Sequence, residues 1–205
     1  MFLYIILIYK MKQIKYESMD DMDIKYYLPD ARLMMFKELK GIDDIEILLP
    51  THNSYFIILY PVQSESNGHW VVLTRFNDVI ECLDSYGNEP DFPLKWYHEK
   101  IEPYLTNLLN NTNLEVVYNS IPFQDKKDSN LATCGAYIVF RVLSMLELKA
   151  NLEQNNPLLK KLKKDSNGKS YDDIVVEYIN YRSFYEVYRV FFSSLSLEVL
   201  HHLLH

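Results

Sequence analysis

Glycine and cysteine are scarce in this chain: of 205 residues, five are Gly and two are Cys. Two cysteines, Cys82 and Cys134, exclude a disulfide framework and fit a reducing compartment. With so few glycines, the placement of each is informative. Gly68 precedes His69, Gly87 follows Asp84-Ser85-Tyr86, and Gly135 follows Cys134. Basic residues are outnumbered, 21 Lys and Arg against 28 Asp and Glu, for a formal charge of −7. That balance argues against a general nucleic-acid coat. No apolar run reaches spanning length. The start, Phe2 to Tyr9, is apolar but too short to cross a bilayer, and it lacks the basic flank and small-residue cleavage site of a signal peptide. It reads as a buried strand or an upstream extension, with Met11 and Met19 as alternative starts.

What is present is an ordinary globular composition, 48% hydrophobic and 24% charged, rich in Tyr (17) and Phe (10). The length fits one domain with a sizeable core. Met19 to Lys40 is periodic enough for one or two short helices ending at Gly41. Ile45 to Leu49 reads as a short strand and Tyr55 to Val62 as a longer one, followed by a polar loop from Gln63 to Gly68. His69 to Phe76 and Val79 to Tyr86 are β-rich runs separated by Asn77-Asp78, the signature of a tight hairpin. Leu94 to Asn110 has helical spacing, and Leu114 to Tyr118 reads as a strand. A loop from Gln124 to Leu131 leads into a nearly all-apolar helix from Cys134 to Lys149. Asn151 to Lys169 is a polar linker, and Tyr171 to the end is mostly helix.

The hairpin has a geometric consequence. With Asn77-Asp78 as the turn, residues whose numbers sum to 155 oppose each other, so His69 faces Tyr86 and Asp84 faces Val71. Opposed residues point to one face of a sheet, as do residues two apart on a strand. His69 and Asp84 are then diagonal neighbours on one face, close enough for a carboxylate to hold an imidazole. Trp70 goes to the other face, and Cys82 shares the face of Asp84.

Cys134 opens a helix, where the macrodipole favours a thiolate. Thr133 is placed to cap that helix, and Gly135 to keep bulk away from the sulfur. A base (His69) and an orienting acid (Asp84) would complete a nucleophilic arrangement. The Cys134 backbone N–H is one oxyanion donor. Gln124 upstream is a candidate for the second, ten positions before the cysteine, with Asn130 as the alternative.

Asn67-Gly68-His69-Trp70, then Leu83-Asp84-Ser85-Tyr86-Gly87, then Gln124 ahead of Ala132-Thr133-Cys134-Gly135 resembles the adenain-like and SUMO-protease-like cysteine peptidases. The order His, Asp, Gln, Cys and the continuation Tyr137-Ile138-Val139-Phe140-Arg141 are closest to the viral branch, the maturation proteases of adenoviruses, large DNA viruses and virophages. The resemblance spans roughly residues 55 to 145. It implies an α+β fold: a central mixed β-sheet flanked by helices, with the catalytic cysteine at the N-terminus of a buried helix. It implies Cys134 as nucleophile, His69 as base, Asp84 as orienter and Gln124 in the oxyanion hole, with no cofactor and no metal. Substrates would be viral capsid or core precursor proteins, cut after small glycine-containing sites in the virion or the host-cell cytoplasm. The charge gives no support for an activating peptide or nucleic acid, and no membrane partner is expected. One peptidase domain would cover residues 1–205, with a core at about 45–149 and a polar linker and helical extension over 150–205. Alternatives are an isopeptidase releasing a ubiquitin-like modifier, a related acyltransferase, or a non-catalytic binding module.

Other residues have plainer readings. Cys82 lies mid-strand without a helix dipole and reads as core. His52, His98, His201, His202 and His205 read as solvated rather than metal-binding, although His201 and His205 are four apart. Ile174, Tyr178, Tyr181, Tyr185, Tyr188 and Phe192 form one helix face, for core packing or a docking surface. Lys160 to Lys164 reads as a solvated basic loop.

Overall fold

The β-branched and aromatic runs pair into a single five-stranded sheet, in a computed structural model that describes residues 14–64, 67–97, 99–125, 131–148, 159–160, 163–164 and 167–181. Strands β1 (Leu33–Met35), β2 (Tyr55–Ser64), β3 (Asn67–Phe76), β4 (Val79–Leu83) and β5 (Glu115–Tyr118) lie side by side in chain order. The inner pairs β2–β3 and β3–β4 are antiparallel, and the outer pairs β1–β2 and β4–β5 are parallel, so the sheet is mixed. Helices α1 (Asp21–Tyr27), α2 (Tyr104–Asn111) and α3 (Cys134–Leu148) and a helical stretch over 171–181 flank it. Among the described residues no helix is long and apolar enough to cross a membrane.

The β3–β4 hairpin has the register expected of a turn at Asn77-Asp78: Val72 opposes Leu83, Leu73 opposes Cys82, and Phe76 opposes Val79. Asn77 takes a left-handed φ of 57°, which Asn tolerates better than most residues. Alternation along the strands then separates two cores. Trp70, Val72 and Leu83 join α1 and α3 in one cluster, which also holds Val175, Val176 and Ile179 of the stretch read as an extension. Val71, Leu73, Ile80 and Cys82 join Phe36, Leu39 and the buried side of α2 in the other. Packed with α1 and the 171–181 stretch in the first cluster, α3 buries residues on all sides, as its nearly uninterrupted apolar sequence requires. One charge is buried with it. Arg141 of α3 bonds Glu81 of β4 and, at 3.1 Å, the Thr74 hydroxyl of β3.

Several local expectations are corrected. Leu33–Met35, inside the region read as helical, is instead edge strand β1. Ile45 to Leu49 forms a 3₁₀ turn at Ile45–Ile47, capped by the Asp44 carboxylate accepting from the Glu46 N–H at 2.8 Å. Its buried residues Ile45, Leu48 and Leu49 stand three and four apart, the spacing of a helical turn rather than a strand. Leu94 to Asn110 divides into a 3₁₀ helix at Phe92–Trp96 and α2, with Pro103 at the break. The loop read at Gln63 to Gly68 is shorter, since β2 runs to Ser64 and β3 begins at Asn67. Strand β4 stops at Leu83, and Asp84 starts a turn. The apolar start, Asn130, His98, His201, His202, His205, Tyr185, Tyr188, Phe192 and most of the linker lie outside the described residues.

Candidate active site

Asp84 sits where β4 gives way to a turn. Its carbonyl accepts from the Gly87 N–H at 2.9 Å and from the Asn119 side chain at 3.1 Å. Gly87 has φ +67°, and a Cβ there would lie 2.8 Å from the Ile121–Pro122 backbone, so glycine is required on both counts. The carboxylate is fully engaged. Oδ1 accepts from the Tyr86 N–H at 2.8 Å and from His69 Nε2 at 2.9 Å, and Oδ2 accepts from Asn88 at 3.0 Å. The diagonal pairing of His69 and Asp84 is therefore realised just beyond the last ladder rung.

His69 is 4% exposed, and its ring is clasped by aromatics. Tyr86 stacks on it at 5.0 Å between centroids, and Trp96 packs edge-on at 5.6 Å. With Nε2 on the carboxylate, the other ring nitrogen is the one left to meet Cys134, with which the imidazole is also hydrogen-bonded. Cys134 is 7% exposed at the first position of α3.

The electrostatics of the pair follow from these contacts. Burial pushes the Cys134 thiol up, but the His69 hydrogen bond and charge, with the Trp70 and Gly135 N–H groups, bring it below its ordinary value. Burial lowers His69, yet its bonds to Asp84 and Cys134 and their charges raise it to about 9. Both shifts favour a thiolate beside an imidazolium.

Two candidate oxyanion donors are the Cys134 N–H and the Gln124 side-chain amide. The N–H groups of a helix's first turn have no intrahelical acceptor, which leaves that of Cys134 facing outward. Gln124 is 3% exposed and held by Ser85, whose hydroxyl donates to Oε1 at 2.7 Å and whose carbonyl accepts the Gln124 N–H at 3.0 Å. This turns Nε2 toward the approach to α3, where it donates to the Leu131 carbonyl at 3.4 Å. An amide nitrogen carries a second N–H for another acceptor.

Thr133 stands at the N-cap position: its carbonyl accepts the first intrahelical bond, from Tyr137 at 3.1 Å, and its hydroxyl donates to Asp172. Gly135 makes room for Met19, since a Cβ there would lie 2.8 Å from the Met19 Cβ. The Met19 carbonyl also accepts the Trp70 indole N–H at 2.8 Å. Cys82 lies in the second core, its thiol pushed up by burial and by the nearby Asp84 and Asp91 charges. Among the described residues no cluster of His, Cys, Asp or Glu is arranged to hold a metal ion.

Sequence reasoning passed over Ser85 as the anchor of Gln124, Trp96 against the imidazole, and Asp172. Ser85 lies within Leu83-Asp84-Ser85-Tyr86-Gly87, and Trp96 is one of two tryptophans, a rarity that marks it. Nothing local marks Asp172. No family model matches the chain, and neither does any curated protein.

Proposed function

We propose that this chain is a cysteine endopeptidase in which Cys134 is the nucleophile, His69 the acid and base, and Asp84 the orienting carboxylate. The observation that carries the reading is the hydrogen-bonded row Asp84–His69–Cys134 at a helix N-terminus, with the thiol lowered and the imidazole raised. In this reading the thiolate attacks the peptide carbonyl carbon, and the resulting oxyanion faces the Cys134 N–H and Gln124 Nε2. The C–N bond breaks as the His69 imidazolium protonates the leaving amine. Water, deprotonated by the now neutral imidazole, then hydrolyses the thioester. Nε2–H donation to Asp84 fixes the tautomer that makes both transfers possible.

The sequence resemblance extends the proposal to substrate. Viral capsid or core precursors, cleaved after small glycine-containing segments, are the proteins on which such a peptidase would act.

The test needs no knowledge of substrate. Iodoacetamide labelling of native protein is followed across pH at Cys134 and Cys82 separately. Fast labelling of Cys134 that persists below pH 7 is expected, with Cys82 slow throughout, and His69→Ala shifting Cys134 toward an ordinary thiol midpoint of about 8.5. Equal, slow labelling at both cysteines would sink the reading.

A further inference from the structure

We propose that Asp172 is a positioning residue for acyl transfer, a single buried carboxylate that holds both arms of the oxyanion hole; the proposal rests on the reading of Cys134 as nucleophile. Asp172 is 1% exposed and lies in the first turn of the helical stretch over 171–181. One of its oxygens accepts from the Thr133 hydroxyl, and the other accepts from the Asp125 N–H at 3.4 Å. Thr133 immediately precedes Cys134, whose N–H is one oxyanion donor. Asp125 immediately follows Gln124, whose side chain is the other. Each donor thus belongs to the residue next in sequence to one held by the same carboxylate, which links the two arms.

The bridge stands on a fixed base. Ser170 and Asp173 exchange hydrogen bonds in a capping box, the Asp173 N–H to the Ser170 hydroxyl at 3.0 Å and the Ser170 N–H to the Asp173 carboxylate at 3.2 Å. Asp173 also pairs with Lys15 Nζ at 2.5 Å, and the Lys15 carbonyl accepts the Ala132 N–H at 3.0 Å. The approach to the nucleophile is therefore strapped from both ends of the described chain.

A carboxylate suits this bridge, because the Thr133 hydroxyl and the Asp125 N–H both donate to it and it offers an acceptor oxygen to each. Asparagine keeps the size but offers one acceptor oxygen, so the Thr133 bond must reverse and both arms lose their charge-assisted acceptor. Displacing either arm misplaces an oxyanion donor, and small misplacements are costly in acyl transfer.

Two reagents separate this role from general support of the site. p-Nitrophenyl acetate acylates the thiolate through an oxyanion: the S–C bond forms, then the C–O bond breaks and p-nitrophenolate leaves with the electron pair. Iodoacetamide alkylates by direct displacement of iodide and forms no oxyanion. With each product assigned to Cys134 by mass, Asp172→Asn is expected to slow acylation about tenfold or more, while the alkylation rate and its pH midpoint stay as in the parent. Thr133→Val should follow Asp172→Asn, and Thr133→Ser should retain parental acylation. If Asp172→Asn fails to fold, the Thr133 pair decides the matter. Acylation and alkylation falling together, or neither changing, overturns the proposal while leaving the peptidase reading intact. Parent protein that shows neither fast alkylation nor an acylation burst at Cys134 overturns both.

Discussion

Two cysteines, each more than nine-tenths buried, sit on opposite sides of the same sheet, and their thiols are driven in opposite directions. Around Cys82 the neighbours are Tyr60, Val71 and the acids Asp84 and Asp91, so burial and negative charge both oppose ionisation. Cys134 is buried too, but an imidazole and two backbone N–H groups face the sulfur. Burial therefore decides neither thiol's chemistry by itself. What separates them is which partners the fold brings within hydrogen-bond reach, and Asp84 acts on both sides: directly against Cys82, and for Cys134 through His69.

The largest effect should come from making the two cysteines alike. His69→Ala removes the partner that lowers Cys134 and, in the proposed mechanism, the base that activates water. Steady-state turnover of p-nitrophenyl acetate is expected to fall by about 10³-fold; a change under tenfold would mean the imidazole is a bystander. Next, Gln124→Ala should slow acylation by about 10²-fold yet leave iodoacetamide labelling untouched. That would separate oxyanion stabilisation from thiolate formation, whereas equal losses in both reactions would place Gln124 in support of the thiolate instead.

A smaller, directional effect is expected in the pH profile. Because the imidazole is raised to about 9, the acid form is present below that value and is lost as pH rises through it. Peptide-bond cleavage, which needs a proton for the leaving amine, should decline on that basic limb. Asp84→Asn removes a cause of the elevation, so the limb should move to lower pH by roughly one to two units. An unmoved limb would show that Asp84 does not govern the imidazole. The smallest effect belongs to Cys82→Ala: turnover unchanged and stability lower by about 1 kcal/mol, read from the urea midpoint. Loss of activity in that variant would end the contrast between the two thiols.

The sequence carried the pairing of His69 with Asp84 because a two-residue turn leaves the register no freedom, and alternation then assigns faces. It carried α3 because a long apolar run after Thr133-Cys134-Gly135 has no other stable place than the interior. It did not carry β1, since three residues are too few for alternation to stand out from the helical spacing around them. Ile45–Ile47 misled for a related reason: a short apolar run reads alike as a strand or as a turn with threefold spacing. Asp172 was invisible because its partners Thr133 and Asp125 lie far away in sequence, and a single Asp in a helix's first turn ordinarily means only favourable dipole placement.

The buried pair of Arg141 and Glu81 works as a keyway. Glu81 lies three residues before Asp84 on the strand that presents the acid, and Arg141 lies seven residues after Cys134 on the helix that presents the sulfur. A helix slid by one residue would rotate by about 100° and strand two charges away from solvent, at a cost of about 3–5 kcal/mol. Even if the pair contributes little net stability, it leaves one seating for the helix on the sheet, and the alignment of acid, imidazole and thiol is fixed roughly 10 Å away from where it is used.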